Sequence, residues 1–275
     1  MKIILPEFLK NGLHIFAALF ILTAVLVPSG TLAERYHDDQ EIDNGYYQVC
    51  TLNHLSEDCW ERNGSFMNYT QEGFSSCVGI DVSKWNGDID WELIKEQGVE
   101  FVIIRMGYRG YESGELVVDE RFYDYIDGAS EAGLMIGIYF YSQAISEEEA
   151  VDEALFVAEH ISGYQVSLPV YFDTEDVRNG QARTEVMATA NYNLNARAFC
   201  ETMESQGYRA GIYASQEWIR KNLDLAQLED FEIWYASYNT TPGRDYGFDM
   251  WQYTDSGELE GCDTYLDMNI RVWKD

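Results

Sequence analysis

Residues 167–176 read SLPVYFDTED, an apolar, strand-like run that ends abruptly in Asp173, Glu175 and Asp176. Side chains two apart on a strand share a face. Asp173 and Glu175 therefore point the same way, with Cα atoms roughly 6–7 Å apart. Two carboxylates held that close do not both ionise cheaply, and at least one pKa rises.

Working outward, short apolar runs of the same kind recur at Val78–Ser83, Phe101–Tyr108, Leu134–Ser142, Leu168–Asp173, Arg209–Ser215, Phe231–Tyr238, Phe248–Thr254 and Tyr265–Val272. Amphipathic stretches separate the first five: Asp90–Gln97, Asp119–Ala132, Ser146–His160 and Thr184–Gln206. Ser146 and Glu149 have the spacing of a capping box at a helix start. Gly98, Gly133 and Gly207 each follow a helix-like run, where a left-handed residue ends a helix. Strand and helix in alternation predict parallel βαβ units. The unbroken apolar run Phe101-Val-Ile-Ile104 predicts strands buried on both faces. Eight candidates favour a closed barrel over an open sheet, and 275 residues suffice for one. Between Tyr238 and Phe248 there is no room for a helix. The expected fold is therefore α/β, an irregular TIM-like barrel of about five βα units followed by three strands with few helices.

The chemistry of such a barrel sits at the C-terminal ends of its strands. Near those ends the candidates carry Asp81, Arg105, Tyr139 with Tyr141, Asp173 with Glu175, Tyr213, Trp234 with Tyr235, Trp251 with Gln252, and Asp267 with Asn269. One isolated Asp-x-Glu is most simply a solvated strand end, but four acidic strand ends are not explained that way. A neutral carboxylic acid beside an ionised one is what glycosidic cleavage requires, and aromatic faces stack on sugar rings. Taken singly, Trp234, Trp251, Tyr139 and Tyr213 read as core residues, and two or three of them are expected at the groove. Arg105 either neutralises the acidic mouth or touches substrate. A carboxylate site for Mg²⁺ or Ca²⁺ is the competing reading, without a phosphate-cradling loop or basic clamp beside it. With no CxxC and no Cys/His cluster, a zinc site is not expected.

The N-terminus reads as a targeting segment. Lys2 and Lys10 precede the apolar run Leu13–Val27, shorter than the roughly 20 residues of a spanning helix. Thr31-Leu32-Ala33 is an acceptable cleavage site. Residues 1–33 are thus expected to be a signal peptide, with an uncleaved membrane anchor as the alternative, and the protein to act outside the cytoplasm. Residues 34–77 read as an acidic linker, or a small cap stapled by Cys50 and Cys59, ahead of a barrel over 78–275. The five cysteines suit an oxidising compartment, with at least one unpaired within the chain. The net charge of −30 repels nucleic acid and anionic membranes.

From Val78 onward the chain resembles glycoside hydrolase family 25, the Chalaropsis-type lysozymes. The resemblance rests on an ordered set of short pieces: Gly79-Ile-Asp81-Val-Ser83 with Trp85 and Gly87, Ile89-Asp90-Trp91, Phe101-Val-Ile-Ile-Arg105, Gly137-Ile-Tyr139, Leu168-Pro-Val-Tyr-Phe-Asp173-Thr-Glu175, Gly211-Ile-Tyr213, Ile233-Trp234-Tyr-Ala236-Ser-Tyr238, Met250-Trp251-Gln252-Tyr253-Thr254 and Leu266-Asp267-Met-Asn269. It implies hydrolysis of the β-1,4 bond from N-acetylmuramic acid to N-acetylglucosamine in peptidoglycan, by a monomer without a cofactor. Glu175 would be the general acid, and Asp173 would stabilise the reacting sugar through its 2-acetamido group or directly. Asp81 and Asp267 would complete the acidic set. Tyr139, Tyr213, Trp234 and Gln252 fall where the family contacts sugar. The chain departs from the family pattern at Arg105, where lysine is common, and at Tyr139-Phe140-Tyr141, where Tyr-His-Phe is common. A chitinase-like hydrolase would carry Asp-x-Asp-x-Glu, and Tyr171 occupies the first of those positions. A barrel that binds the wall without cutting it is the non-enzymatic alternative.

Overall fold

The computed structural model describes residues 52–175, 177, 181–185 and 187–275. The targeting segment, Cys50 and Asp176 lie outside the described residues, so the expected Cys50–Cys59 staple does too.

In chain order the elements are a hairpin, β1 (Trp60–Asn63) and β2 (Phe66–Tyr69), then β3 (Phe74–Val82), α1 (Trp91–Glu96), β4 (Phe101–Arg109), β5 (Leu116–Val118), α2 (Phe122–Glu131), β6 (Met135–Tyr141), α3 (Glu147–Ile161), β7 (Val170–Asp173), α4 (Thr189–Ser205), β8 (Ala210–Ser215), α5 (Gln216–Asn222), β9 (Glu232–Ala236), β10 (Met250–Gly257) and β11 (Leu266–Lys274). Around the barrel the order is β3-β4-β6-β7-β8-β9-β10-β11, closed by the ladder between β11 and β3. Short β5 extends the upper end of β4 as an antiparallel edge. Five βα units and three strands without α-helices between them match the sequence expectation.

Helix ends follow local rules. Asp90 caps α1 by accepting from the Leu93 amide, and Ser146 caps α3 by accepting from the Glu149 amide at 3.4 Å. The reciprocal half of the expected capping box is absent, because the Glu149 carboxylate accepts from Ile145 N and from Arg183 instead. Gly98 and Gly133 adopt φ of 109° and 71°, as their places after α1 and α2 require.

The last strand departs from the expectation. β11 runs antiparallel to both β10 and β3. Its N-terminal end, not its C-terminal end, therefore stands at the rim where the parallel strands end. Asp267, the second residue of β11, is the Cα partner of Asp81 across the ladder.

Two cores flank the barrel wall. The inner one contains Phe101, Ile103, Tyr171, Tyr213, Trp234 and Met250. Glycine makes room for these rings: a Cβ on Gly79 would lie 2.3 Å from the Phe101 ring, and one on Gly211 would lie 2.6 Å from Tyr171. The outer core lies beneath the helices. Where the last strands lack helices, the hairpin covers them. Trp60 meets Trp251 edge-on with ring centroids 5.1 Å apart and contacts Tyr69 at 4.6 Å. The Tyr253 hydroxyl donates to Ser65 O at 2.9 Å, and Met67 and Tyr69 are buried. Residues 52–77 are thus part of the barrel's outer wall, and β3 starts four residues before the boundary read at Val78.

Candidate active site

Each rim residue is placed by strand register. Asp81 pairs with Ile103, Arg105 with Tyr139, Tyr141 with Asp173, Asp173 with Tyr213, and Tyr213 with Trp234. Gln252 pairs with Asn269, and Asp267 with Asp81. Alternation along each strand then sends these side chains inward. Asp81, Asp173, Glu175 and Asp267 meet at one mouth, close enough that Asp267 and Glu175 raise the pKa of Asp81, Glu175 and Asp81 that of Asp173, and Glu175 that of Asp267.

Asp173 is buried and its Oδ1 has no hydrogen-bond partner among the described residues. Burial pushes its pKa well above the carboxylate range, with Glu175 and Asp81 adding to the rise and Arg105 opposing it. Glu175 lies just past the end of β7, half-buried. Burial raises its pKa too, against a hydrogen bond with Tyr213. Asp267 is pushed up to about 6 by burial and by Asp255 and Glu175.

A hydrogen-bonded chain supports Asp81. Its Oδ2 accepts from Gln252 Nε2 at 2.8 Å and from Asn269 Nδ2 at 2.7 Å. Trp234 Nε1 donates to Asn269 Oδ1 at 2.8 Å. The hydroxyls of Tyr213 and Tyr238 donate to Gln252 Oε1 at 3.0 and 2.9 Å.

The remaining sequence candidates divide. Tyr139 is half-buried at the mouth and meets Trp234 at 5.9 Å. Trp234 is only 1% exposed and works from below, through Asn269. Trp251 is not at the groove: it alternates with Gln252, faces outward, and donates to Ser237 O. Arg105 is held by Asp119 at 2.6 Å, a buried carboxylate beyond β5 that also accepts from the amides of Lys84 and Arg121. Its charge still reaches Asp173 and Tyr139. The sequence places Asn269 at the rim beside Asp267 without a role, and assigns none to Tyr238. The Asp-x-Asn spacing of 267 and 269, which repeats the Asp-x-Glu of 173 and 175, is the signal that marks Asn269. Among the described residues no group of three or more His, Cys, Asp or Glu is arranged to hold a metal ion.

A βα barrel with an acidic, partly protonated mouth ringed by aromatic side chains defines a sugar-cleaving class of site. Residues 80–262 match the family described as Glycosyl hydrolases family 25, and the chain belongs to that family. It is 29% identical over 192 residues to an autolytic lysozyme of Clostridium acetobutylicum, a match covering 70% of this chain and 54% of that protein. It is 26% identical over 208 residues to Lysozyme M1 of Streptomyces globisporus, covering 71% and 67%. Among solved structures, the modular autolysin LytC of Streptococcus pneumoniae, in complex with a synthetic peptidoglycan ligand, superposes with a TM-score of 0.66 at 23% identity, over 78% of this chain and 52% of that one. A family 25 glycosyl hydrolase of Bacillus anthracis superposes with a TM-score of 0.61 at 23% identity, over 76% and 94%. The chain thus spans about half the length of the Clostridium and LytC proteins, and the structural likenesses speak for the fold.

Proposed function

We propose that the protein is an N-acetylmuramidase that hydrolyses the β-1,4 bond between N-acetylmuramic acid and N-acetylglucosamine in peptidoglycan. The observation that carries this reading is the Asp173–Glu175 pair at the mouth of a family 25 barrel, both carboxyls raised above their ordinary range. Burial shifts Glu175 towards its protonated form, the form a general acid needs to protonate the leaving oxygen. The unpartnered Oδ1 of Asp173 is a buried acceptor awaiting a donor, and the N–H of a 2-acetamido group supplies one. Such a contact would orient the acetamido oxygen towards the anomeric carbon. Exposed Tyr238 and half-buried Tyr139 offer ring faces to the sugars.

The reading extends to an exported monomer, delivered by residues 1–33 as signal or anchor. No helix among the described residues is long and apolar enough to cross a membrane. The test is digestion of purified peptidoglycan with identification of the new reducing ends by mass spectrometry. Muramic acid ends support the reading. Glucosamine ends point to another glycosidase, and wall binding without new ends to the non-catalytic alternative.

A further inference from the structure

Asp81 and Asp267 stand side by side on β3 and β11, within hydrogen-bonding reach. We propose that this pair shares a single proton, carried on Oδ1 of the buried Asp81 and donated to Asp267, and that Asn269, Trp234 and Gln252 are the positioning residues that put it there.

The argument begins with an indole. Trp234 Nε1 can only donate, and it donates to Asn269 Oδ1. That contact fixes the Asn269 amide with its NH₂ towards Asp81, where it donates to Oδ2. Gln252 is turned likewise, since the Tyr238 phenol donates to its oxygen and its nitrogen donates to the same Oδ2. With two N–H groups aimed at it, Oδ2 cannot also carry a proton. Oδ1 is left for Asp267.

The surroundings settle how the charge divides. Asp267 faces Asp255 on β10 and Glu175 beyond β7, and Asp81 faces Glu175 as well. Asp173 and the phenols of Tyr139, Tyr213 and Tyr238 lie within range of the same field. Among the described residues Arg105, on β4, opposes it, at Asp173 and Tyr139. Two charged aspartates are not tolerable in so acidic a surround. Asp81 is 5% exposed and Asp267 only half-buried. The charge therefore resides on the better-hydrated Asp267, and the neutral Asp81 gives it a hydrogen bond.

This rests on the muramidase reading only for the rate measurement below; the proton's location is testable without substrate. Carboxyl ¹³C shifts of the labelled protein, followed from pH 4 to 9, are expected to show Asp267 titrating near 6 while Asp81 keeps a neutral-acid shift through pH 7. An Asp81→Asn amide reproduces the acceptor oxygen and the N–H towards Asp267. It should leave the Asp267 midpoint within about half a unit. Were Asp81 the charged partner, the same change would lower that midpoint by more than about one unit. Asn269→Leu removes one of the two N–H groups that reserve Oδ2 as an acceptor and leaves Gln252 alone there. The proton is then held less firmly on Oδ1, the hydrogen bond to Asp267 weakens and its midpoint rises by up to about one unit. The limb of kcat/KM that follows Asp267 on wall glycan moves with it, whereas a purely structural role lowers rate and leaves the limb in place. The proposal is overturned if Asp81 titrates below Asp267, if Asp81→Asn lowers the Asp267 midpoint by more than a unit, or if a folded Asn269→Leu leaves it unmoved. Failure to release muramic acid ends, with these titrations as expected, would sink the muramidase reading and not this one.

Discussion

The two ends of the barrel treat acid side chains in opposite ways. At the base, Glu232 opens β9 between two arginines, Arg271 at 2.7 Å and Arg209 at 3.0 Å, and Arg271 also donates to the Tyr171 hydroxyl. At the mouth, Asp81, Asp173, Glu175 and Asp267 crowd together, and the nearby Arg105 is itself held by Asp119. The base is compensated and contributes to stability. Among the described residues the mouth has no cation of its own to match, and its carboxyls answer by keeping protons. A chain with a net charge of −30 can neutralise buried acids where it needs rigidity, so the protonated mouth reads as a functional arrangement.

The sharpest way to break this contrast is Glu175→Gln. A loss of roughly 10³-fold or more in wall lysis is expected, with the melting temperature unchanged or raised. Substantial residual lysis would remove Glu175 from the acid role. Asp173→Asn should cost about 10²-fold in kcat with a smaller change in KM. A mutant that loses only KM would make Asp173 a binding group.

At the base the signs reverse. Glu232→Gln strands the Arg271 charge and should lower stability by about 1–3 kcal/mol, partial exposure included, with kcat unaffected. Denaturant titration beside a lysis assay separates the two effects. Trp60→Ala tests the outer wall. Losing its half-buried ring against Trp251 should cost about 1–3 kcal/mol, again without change in kcat. If stability does not move, the hairpin is an ornament and not part of the wall.

The smallest effect is on melting against pH. Carboxyls whose folded pKa is raised bind more protons in the native state than in the unfolded chain, so their contribution to stability falls as pH rises. For Asp267 the window runs from about 4, its ordinary value, to about 6. Wild-type protein should therefore melt higher at pH 5 than at pH 7.5, with a smaller difference in Asp267→Asn. An equal difference in both would place the titration elsewhere.

Much of this was legible in the sequence because barrel strands are buried on both faces and spell themselves as unbroken apolar runs, as Phe101-Val-Ile-Ile104 does. The acid pair was legible from the Asp-x-Glu spacing where an apolar run ends, although Glu175 lies past the end of β7 and strand alternation alone does not aim it. The direction of β11 was not, since strand residues read alike in either sense and only the ladder with β3 fixes it. Trp251 reads as a core residue, as it is, but its face stays open because an aromatic beside Gln252 satisfies either face and what covers it arrives from nearly two hundred positions earlier. The hairpin itself was hidden: β1 buries no residue fully and β2 buries only Met67 and Tyr69, too little apolar texture to stand out.

The antiparallel seam has a bearing on timing. Lys274 pairs with Phe74 and Asp267 with Asp81, so the cylinder stays open until the far end of the barrel's polypeptide has been threaded back against its first strand. Contacts of such long separation form slowly. Because the stave that shuts the cylinder also carries Asp267, a nascent molecule has no complete acid quartet. Any wall-cutting ability would be withheld until synthesis of this stave is done.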